Sequence, residues 1–328
     1  MSAPFGLLRF QEQYFERIWG GQRLRTLYGK PIPEDKPIGE AWLISDHPSA
    51  VSVVSKGPLT GKTLHDLIEF DAEALLGRPA QLTPHGRFPL LLKLLDSSDV
   101  LSVQVHPNDT TAAELGEPDV GKTEMWYVLH ADPGAELICG LLPGTTERKC
   151  RDAIRDGRLE DYLDHFGVTP GDAVFVEAGT VHAIGKGIVL AEIQQNSDLT
   201  YRLYDWSRLD ASGKSRQLHV DKGMRATDFS KTRPDLSSIN DNCAGAVSQN
   251  VTPLVDSRYF KASLLNAAKA QYSANSEVFR IVLCTIGSVD VSCGTSTEIL
   301  APGECVFVPA CQKDTMISGE GEALLYSL

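Results

Sequence analysis

The chain has 328 residues, of which 42% are hydrophobic and 23% charged, which is enough apolar material for one large domain or two smaller ones. Its formal net charge is -12 and its pI about 5.1, so its field repels nucleic acids and anionic membrane surfaces. We therefore expect no nucleic-acid partner and no membrane partner. An anionic small substrate is compatible with this charge, because a few cations in a cleft create a local positive site.

The cysteines and the first residues of the chain bear on its location. The seven cysteines form no Cys-x-x-Cys pair, and an odd number cannot close into a complete set of disulfides, so we expect reduced thiols. Residues 1–15 lack a basic segment followed by an apolar run, and no stretch approaches the roughly 18 apolar residues of a membrane span. We expect a cytoplasmic protein.

Short β-rich runs separated by glycine and proline dominate the sequence. The predicted strands are Ala50–Ser55, Leu90–Leu95, Val100–His106, Glu124–Leu129, Ala135–Cys139, Ala173–Glu177, Gly187–Gln194, Phe279–Cys284, Ser288–Ser292 and Cys305–Pro309. Helical patterns are fewer and cover Leu64–Leu76, Asp109–Leu115 and Thr145–His165. This pattern predicts a mainly β sandwich or barrel with peripheral helices.

The second half of the chain echoes the first. Residues 207–257 are polar and without clear periodicity, which indicates a connector, and short strands return beyond it. Pro170-Gly-Asp172 precedes one Val-Phe-Val run, and Pro302-Gly-Glu304 precedes another. Only the first copy is followed by a histidine, His182. The echo predicts two similar β-rich halves, of which only the first has a metal ligand at this corner.

Four polar side chains at strand ends are candidate metal ligands. Gln104 and His106 are two residues apart in a strand-like run, so their side chains share one face. Glu124 begins the next strong run, and His182 follows a Gly-Thr turn after a strand. Side chains at such places converge in the mouth of a barrel. Two imidazoles and a carboxylate suit a borderline divalent ion, whereas the amide oxygen of Gln104 is a less usual ligand.

Hydroxylic and basic residues near these positions suit a phosphorylated sugar. Ser102 lies on the strand face of Gln104, Lys122 precedes Glu124 by two residues, and Arg202 stands in an aromatic stretch. Lysine binds phosphate as a point charge, and arginine binds phosphate or a developing oxyanion through two donors. The alternative for each cation is a solvated surface charge.

The sequence resembles the type I mannose-6-phosphate isomerases, in their short bacterial form. The resemblance runs in order through most of the first 206 residues, and its most specific elements are Leu101-Ser-Val-Gln-Val-His-Pro-Asn-Asp109 and Gly121-Lys-Thr-Glu-Met-Trp126. It implies a mainly β double cupin, that is, two jelly-roll-like β-barrels, with a peripheral helical portion. We expect residues 1–230 to form the catalytic cupin domain with helical insertions and residues 231–328 a degenerate C-terminal cupin domain without metal.

The resemblance also implies a function and a set of site residues. The implied reaction is the interconversion of mannose 6-phosphate and fructose 6-phosphate through a zinc-stabilised cis-enediol, with one Zn²⁺ per chain. The implied zinc ligands are Gln104, His106, Glu124 and His182. The implied substrate-side groups are the catalytic Arg202 together with Ser102 and Lys122.

The group that moves the proton between C1 and C2 is open between Glu192 and Lys122. A lysine base requires a pKa lowered toward neutrality, and Glu192 has the equal alternative of orienting a metal ligand. We expect a small sugar phosphate as partner and a monomer or homodimer.

Three other functions compete with this one. The first is a non-catalytic metal- and sugar-binding cupin, and the second is an isomerase or epimerase of another sugar phosphate. The third is a metal dioxygenase, whose preference for histidine-rich ligation of a redox metal does not match the mixed ligand set.

Overall fold

The structure is a computed structural model that describes residues 4–78, 81–209, 213–231, 236–237, 250–268, 271–273 and 277–328. Its strands are β1 (Gln13–Gly21), β2 (Ile38–Ile44), β3 (Asp46–His47), β4 (Ala50–Val51), β5 (Leu90–Ser97), β6 (Val103–Val105), β7 (Glu124–Ala131), β8 (Glu136–Leu141), β9 (Leu163–Gly167), β10 (Ala173–Val176), β11 (His182–Ile184), β12 (Ile188–Gln195), β13 (Tyr201–Tyr204), β14 (Leu236–Ser237), β15 (Val251–Asp256), β16 (Lys261–Asn266), β17 (Tyr272–Ser273), β18 (Arg280–Ile286), β19 (Val289–Cys293), β20 (Ser296–Leu300), β21 (Cys305–Val308), β22 (Thr315–Gly319) and β23 (Glu322–Ser327). Its helices are α1 (Arg23–Tyr28), α2 (Leu64–Leu76), α3 (Asp109–Glu114), α4 (Glu147–Arg155) and α5 (Val220–Ala226), with a 3₁₀ helix at Leu159–Tyr162. Within the described ranges, no helix combines the length and apolar character needed to cross a bilayer.

The chain forms two compact units that alternate along the sequence. Unit A comprises Tyr14–Ala41 and Lys93–Leu236, and unit B comprises Met1–Gln13, Trp42–Leu92 and Ser237–Leu328. The division into domains at residue 230 stays a prediction.

Unit A is built mainly of two sheets. One has seven strands in the order β1-β2-β5-β12-β7-β10-β14, and the other has five in the order β13-β6-β11-β8-β9. Side chains from both sheets form one buried cluster, which includes Trp126 and Leu190 from the first sheet and Leu137 and Ile184 from the second. This core holds the ends of β6, β7 and β11 in fixed places, and those ends carry the predicted ligands.

Helices cover the outer face of the five-stranded sheet. A second buried cluster joins Val105 and Leu203 of this sheet to Cys150 of α4 and Met224 of α5. The helices of unit A that contribute to this cluster are therefore peripheral to the β core, as the sequence predicts.

Unit B contains a second pair of sheets, with the strand orders β15-β16-β23-β18-β21 and β17-β22-β19-β20. Its core joins Val282 and Leu325 of the first sheet to Val291 and Ile317 of the second. The mainly β character expected from the sequence is confirmed in both units.

The Pro-Gly-acid echo is a repeated turn. In unit A the carboxylate of Asp172 accepts a hydrogen bond from Thr169 N at 2.7 Å, and in unit B that of Glu304 accepts one from Ala301 N at 3.1 Å. The glycine between, Gly171 or Gly303, has a left-handed φ of 98° or 81°, which glycine adopts without strain. Each turn leads into a strand, β10 or β21.

Two of the predicted helices agree with the structure and one does not. The helix Leu64–Leu76 is confirmed, and it begins with a capping box in which Thr63 and Asp66 bond each other's backbone N–H groups. The helix Asp109–Leu115 is confirmed as α3, with Leu115 as its C-cap.

The prediction of a helix over Thr145–His165 is wrong beyond Arg155. Gly157 has a left-handed φ of 69°, which interrupts the helix, and Leu163 begins the edge strand β9 that pairs with β8. The apolar residues of that segment are buried by a sheet instead.

The connector predicted at residues 207–257 is structured in part, since it contains α5, β14 and all of β15. Residues 232–235 and 238–249 lie outside the described residues. The six described cysteines are free thiols, and Cys243 lies outside the described residues.

Candidate functional site

The four predicted metal ligands come together between the two sheets of unit A. Glu124 is the first residue of β7 in the seven-stranded sheet. His182 begins β11 in the five-stranded sheet, where it lies opposite Gln104 of β6. His106 follows β6 directly. His106, Glu124 and His182 are buried, and their ligand atoms all lie within 4.8 Å of one another.

Hydrogen bonds to carbonyl groups fix the tautomers of both histidines. His106 Nδ1 lies 2.7 Å from Leu199 O, and His182 Nδ1 lies 2.8 Å from Thr180 O. Because a carbonyl oxygen only accepts, each Nδ1 carries a proton and each Nε2 presents a lone pair. Burial lowers the pKa of His182 to about 4, and burial, followed by the charge of Lys122, lowers that of His106 well below its usual value. Both imidazoles are therefore neutral near pH 7.

These lone pairs face a carboxylate. His106 Nε2 is 3.5 Å from Glu124 Oε2, and His182 Nε2 is 3.4 Å from Glu124 Oε1. Lys122 Nζ lies 2.6 Å from Oε2, within reach of a charge-assisted hydrogen bond, whereas Oε1 has no hydrogen-bond partner among the described residues. A cation stabilises acceptors that face one another. The ammonium group of Lys122 faces Oε2 and His106 Nε2, and a metal ion bound between the three residues satisfies His182 Nε2 and Oε1 as well.

The spacing of these acceptors suits a metal ion. Tetrahedral zinc with bonds of about 2.0–2.1 Å separates neighbouring ligand atoms by about 3.3–3.4 Å, close to the 3.4 Å and 3.5 Å found for the two histidine–glutamate pairs. Of the residues that the structure describes, this is the one group of three with metal-ligand character. His106, Glu124 and His182 thus fit a divalent metal ion.

Gln104 lies beside this group but presents its amide nitrogen. Gln104 Nε2 is 3.4 Å from His182 Nε2, and the side chain is partly exposed. As a ligand Gln104 has to offer Oε1, which a 180° rotation of the amide brings to the same place. The geometry of Gln104 is compatible with a fourth ligand and fits it less directly than the other three residues.

Lys122 is buried against the same carboxylate. Its Nζ lies 3.1 Å from His106 Nε2 and 3.8 Å from Glu192 Oε1. Burial alone lowers the pKa of Lys122, but Glu124 and Glu192 outweigh it and the net pKa is raised. The lowered pKa that a lysine base requires is therefore absent while these carboxylates face the ammonium group.

Glu192 is a buried carboxylate whose pKa is subject to opposing effects. Trp126 Nε1 donates a hydrogen bond to its Oε2 at 3.0 Å, and Oε1 lies 3.8 Å from both Lys93 and Lys122. Burial, then the charge of Glu124, raises the pKa of Glu192 against the two lysines. A raised pKa makes a carboxylate a stronger base, which suits a group that accepts and returns a proton.

The sequence analysis did not assign Lys93 to the site. Lys93 of β5 is 4% exposed and lies 3.7 Å from Glu40, 3.8 Å from Glu192 and 4.0 Å from Asp198. A signal was present, because Lys93 interrupts the leucine run of β5 and Glu40 interrupts the apolar run of β2. A charge inside an apolar strand indicates a buried polar partner.

Arg202 and Ser102 form a second group on the five-stranded sheet. Arg202 Nε donates to Ser102 Oγ at 3.2 Å, and Nη1 donates to Gln217 O at 3.0 Å. Arg202 lies opposite Gln104 across β13 and β6. The structure thus brings Arg202 and Ser102 together, and Gln104 links them to the metal-ligand group.

Two further arginines approach this second group. Arg208 and Arg216 both donate hydrogen bonds to Asp205, which follows β13. Burial, then the charges of Arg216 and Arg208, lowers the pKa of Arg202. Arg208 and Arg216 are not among the site residues predicted from the sequence, where the one signal for them is the density of arginine and aspartate after Tyr201.

Comparisons with known proteins agree with this site. The profile of the family "Phosphomannose isomerase type I, catalytic domain" matches residues 7–136. The chain is 36% identical over 330 residues to the mannose-6-phosphate isomerase of Streptococcus mutans, covering 99% of this chain and 98% of the relative. It is 44% identical over 217 residues to the probable mannose-6-phosphate isomerase GmuF of Bacillus subtilis, covering 66% of each.

A solved structure shows the same fold. The mannose 6-phosphate isomerase of Bacillus subtilis superposes with a TM-score of 0.87 at 33% identity, covering 99% of this chain and 100% of that one. The match confirms the expected double-cupin class. With the relatives above, it shows that the chain belongs to the type I mannose-6-phosphate isomerase family, whose members are aldose–ketose isomerases.

Proposed function

We propose that the protein interconverts mannose 6-phosphate and fructose 6-phosphate through a cis-enediol, with one Zn²⁺ per chain held by Gln104, His106, Glu124 and His182. The observation that carries the proposal is the acceptor-only group of His106, Glu124 and His182, with Lys122 and Glu192 buried against it. A site with a cation-binding group and a buried acid–base pair has the parts that an isomerase needs.

The reaction moves a proton between C1 and C2 while negative charge develops on the two sugar oxygens. A bound zinc ion supplies Lewis-acid stabilisation of that charge. The protein supplies the neutral imidazoles, whose protonated Nδ1 atoms are bonded to Leu199 O and Thr180 O and whose Nε2 atoms stay directed inward. These second bonds keep the ligand set rigid.

Glu192 is the better candidate for the proton-transfer group. Burial raises the pKa of Glu192, which favours proton exchange by its carboxyl group, and the hydrogen bond from Trp126 fixes its Oε2. Lys122 lies against Glu124 and Glu192, whose charges raise its pKa, and we assign it the role of a cation beside the substrate oxygens. We assign the two residues these different roles in the same reaction.

Arg202 and Ser102 form the substrate-binding edge of the site. Arg202 is half-buried and Ser102 is buried, and they are bonded to each other. An arginine in this setting is a fixed cation for the phosphate group or for charge developing in the transition state. Ser102 and Lys122 complete the polar contacts that we assign to the sugar phosphate.

These assignments place the catalytic residues in one part of the chain. All of the assigned residues belong to unit A and fall within residues 1–230, which we propose as the catalytic domain. We propose residues 231–328 as a domain without metal. The free state of the described cysteines supports a reducing, cytoplasmic location, and we propose a monomer or homodimer.

A coupled isomerase assay on a panel of sugar phosphates, with metal analysis of the same sample, tests the proposal. We expect turnover of mannose 6-phosphate, about one zinc per chain, and loss of turnover after chelation. Full activity in the metal-free protein contradicts the metal's role.

The same assay separates the rival functions. Preference for another aldose phosphate identifies an isomerase of different substrate. Zinc without turnover of any sugar phosphate identifies a binding cupin.

A further inference from the structure

Asp205 is a buried carboxylate that bridges two arginines of unit A. Its side chain is 6% exposed. Its Oδ1 accepts hydrogen bonds from Arg208 Nη2 at 2.7 Å and Arg216 Nη2 at 2.5 Å, and its Oδ2 accepts one from Arg216 Nε at 2.8 Å. The bond to Arg216 is bidentate, which fixes the plane of the guanidinium group as well as its position.

A third arginine shares this environment. Arg202 stands three residues before Asp205, and its Nη1 donates to the carbonyl of Gln217, the residue next to Arg216, at 3.0 Å. Burial, then the charges of Arg216 and Arg208, lowers the pKa of Arg202, while Asp205 opposes the shift. The three guanidinium groups face two carboxylates, since Asp99 Oδ2 also lies 3.3 Å from Arg208 Nη1, and the local charge is therefore +1. A phosphate monoester carries about -1.5 to -2 at pH 7, so the cluster complements the substrate class proposed above.

We propose that Asp205 is a positioning residue for the isomerase reaction: it holds Arg208 and Arg216 in place and limits the repulsion that they exert on Arg202. This inference rests on the proposed function, because Asp205 affects the reaction only through Arg202, which we assign to the sugar phosphate. Nothing in it requires Asp205 to touch the substrate.

The two bridged arginines depend on Asp205 to different degrees. Arg208 has two further anchors, since its Nη1 also donates to Val100 O at 2.5 Å and to Asp99 Oδ2 at 3.3 Å. Arg216 forms two hydrogen bonds to the one carboxylate. Removing the carboxylate charge therefore frees Arg216 before Arg208. Once its guanidinium group is mobile, Arg216 changes the place at which an anion binds beside Arg202.

Asp205→Asn in the full-length, zinc-loaded protein tests the proposal, because asparagine keeps the shape of the side chain and removes its charge. The matched control is Asp161→Asn. Asp161 also receives two hydrogen bonds from an arginine three residues away, Arg158, at 2.9 Å and 2.6 Å, but this pair is exposed and lies outside the site.

We expect Asp205→Asn to lower kcat/KM for mannose 6-phosphate by about tenfold to a hundredfold, the range for losing a hydrogen bond between charged groups. The loss should appear mainly as a higher KM and as weaker competitive inhibition by inorganic phosphate. The zinc content should not change. Asp161→Asn should stay within about twofold of the wild type, as exposed pairs do. Wild-type KM and phosphate inhibition in Asp205→Asn would overturn the proposal.

A double-mutant cycle with Arg216→Gln shows whether Asp205 acts through Arg216. We expect the double variant to lose less than the sum of the two single losses, because the unpaired cation is then gone. Strictly additive losses contradict the proposal. If Asp205→Asn alone does not fold, phosphate inhibition of the triple variant Asp205→Asn, Arg208→Gln, Arg216→Gln is compared with that of the double variant Arg208→Gln, Arg216→Gln. Equal inhibition supports the role, and further weakening in the triple variant contradicts it.

Failure of the proposed function is distinguishable from failure of this inference. A wild-type protein without isomerase turnover rejects the former. Calorimetry with inorganic phosphate then tests Asp205 directly, with binding weakened about tenfold in Asp205→Asn as the expected result and unchanged binding as the result that overturns it.

Discussion

Glu124 and Arg280 occupy equivalent positions in the two units. Glu124 lies opposite Val176 at the end of the strand that follows the Pro-Gly-Asp turn, and Arg280 lies opposite Val308 at the end of the strand that follows the Pro-Gly-Glu turn. The two strand pairs, β7 with β10 and β18 with β21, have matching registers. An arginine at the place of the carboxylate ligand cannot coordinate a cation.

The first prediction is that metal binding depends on Glu124 and not on Arg280. Glu124→Gln and His182→Ala should lose zinc, because each removes one of three converging ligands. Arg280→Ala should retain about one zinc per chain, since Arg280 has no part in the ligand set. Metal analysis after gel filtration measures all three. Zinc retained at the wild-type level in His182→Ala would reject the ligand assignment.

The second prediction separates metal binding from catalysis at Arg202. Arg202→Ala should keep its zinc, because its strand partner Gln104 is the weakest of the assigned ligands, and should lower kcat by about 10²–10³, as does removal of a fixed donor from a developing oxyanion. Arg202→Lys should recover only part of the loss, because an ammonium group lacks the planar donor pair. The coupled assay with metal analysis checks both variants.

The control for Arg202 is Arg158→Ala, which removes an exposed arginine of the same unit. Its kcat should equal that of the wild type. A fully active Arg202→Ala enzyme contradicts the role given to Arg202.

The third prediction concerns the proton-transfer group. Glu192→Gln should retain zinc and the hydrogen bond from Trp126, while kcat falls by about 10²–10⁴, the usual loss for a general acid–base group. The pH dependence of the residual rate should lose the limb that belongs to Glu192. If Glu192 only orients its neighbours, the glutamine variant keeps the shape of the wild-type pH profile, and a stopped-assay series over pH distinguishes the two cases.

The sequence predicts the ligands well because their signals are local. Gln104 and His106 share a strand face by simple alternation, and Glu124 and His182 stand at strand ends marked by turns. The fold class follows in the same way from short apolar runs and turn residues.

What the sequence does not predict are contacts between distant segments. Lys93 meets Glu40, Glu192 and Asp198 only because β2, β5 and β12 are neighbours in one sheet. The predicted helix extends too far beyond α4 for a related reason. The residues from Leu163 onward form β9, because they pair with β8. Tertiary pairing overrides local helix propensity at such places.

The fourth prediction concerns the stability of the chelator-treated protein as a function of pH. The folded pKa of His182 is about 4, below the usual unfolded value, because burial disfavours the charged imidazole. Between that value and about pH 6.5 the unfolded chain binds the additional proton. The contribution of the neutral, buried histidine to the free energy of unfolding is therefore fully present above about pH 6.5. It decreases as the pH falls toward 4, by about 1.4 kcal/mol per pH unit for each such histidine.

Urea unfolding of the metal-free protein between pH 5 and 7 measures this slope. His106 adds to it in the same direction, because burial lowers its pKa as well. His182→Gln should remove about one proton's share of the slope. An identical slope in His182→Gln and the wild type would show that His182 is not held neutral by burial, and the lone pair assigned to its Nε2 would then lose its support.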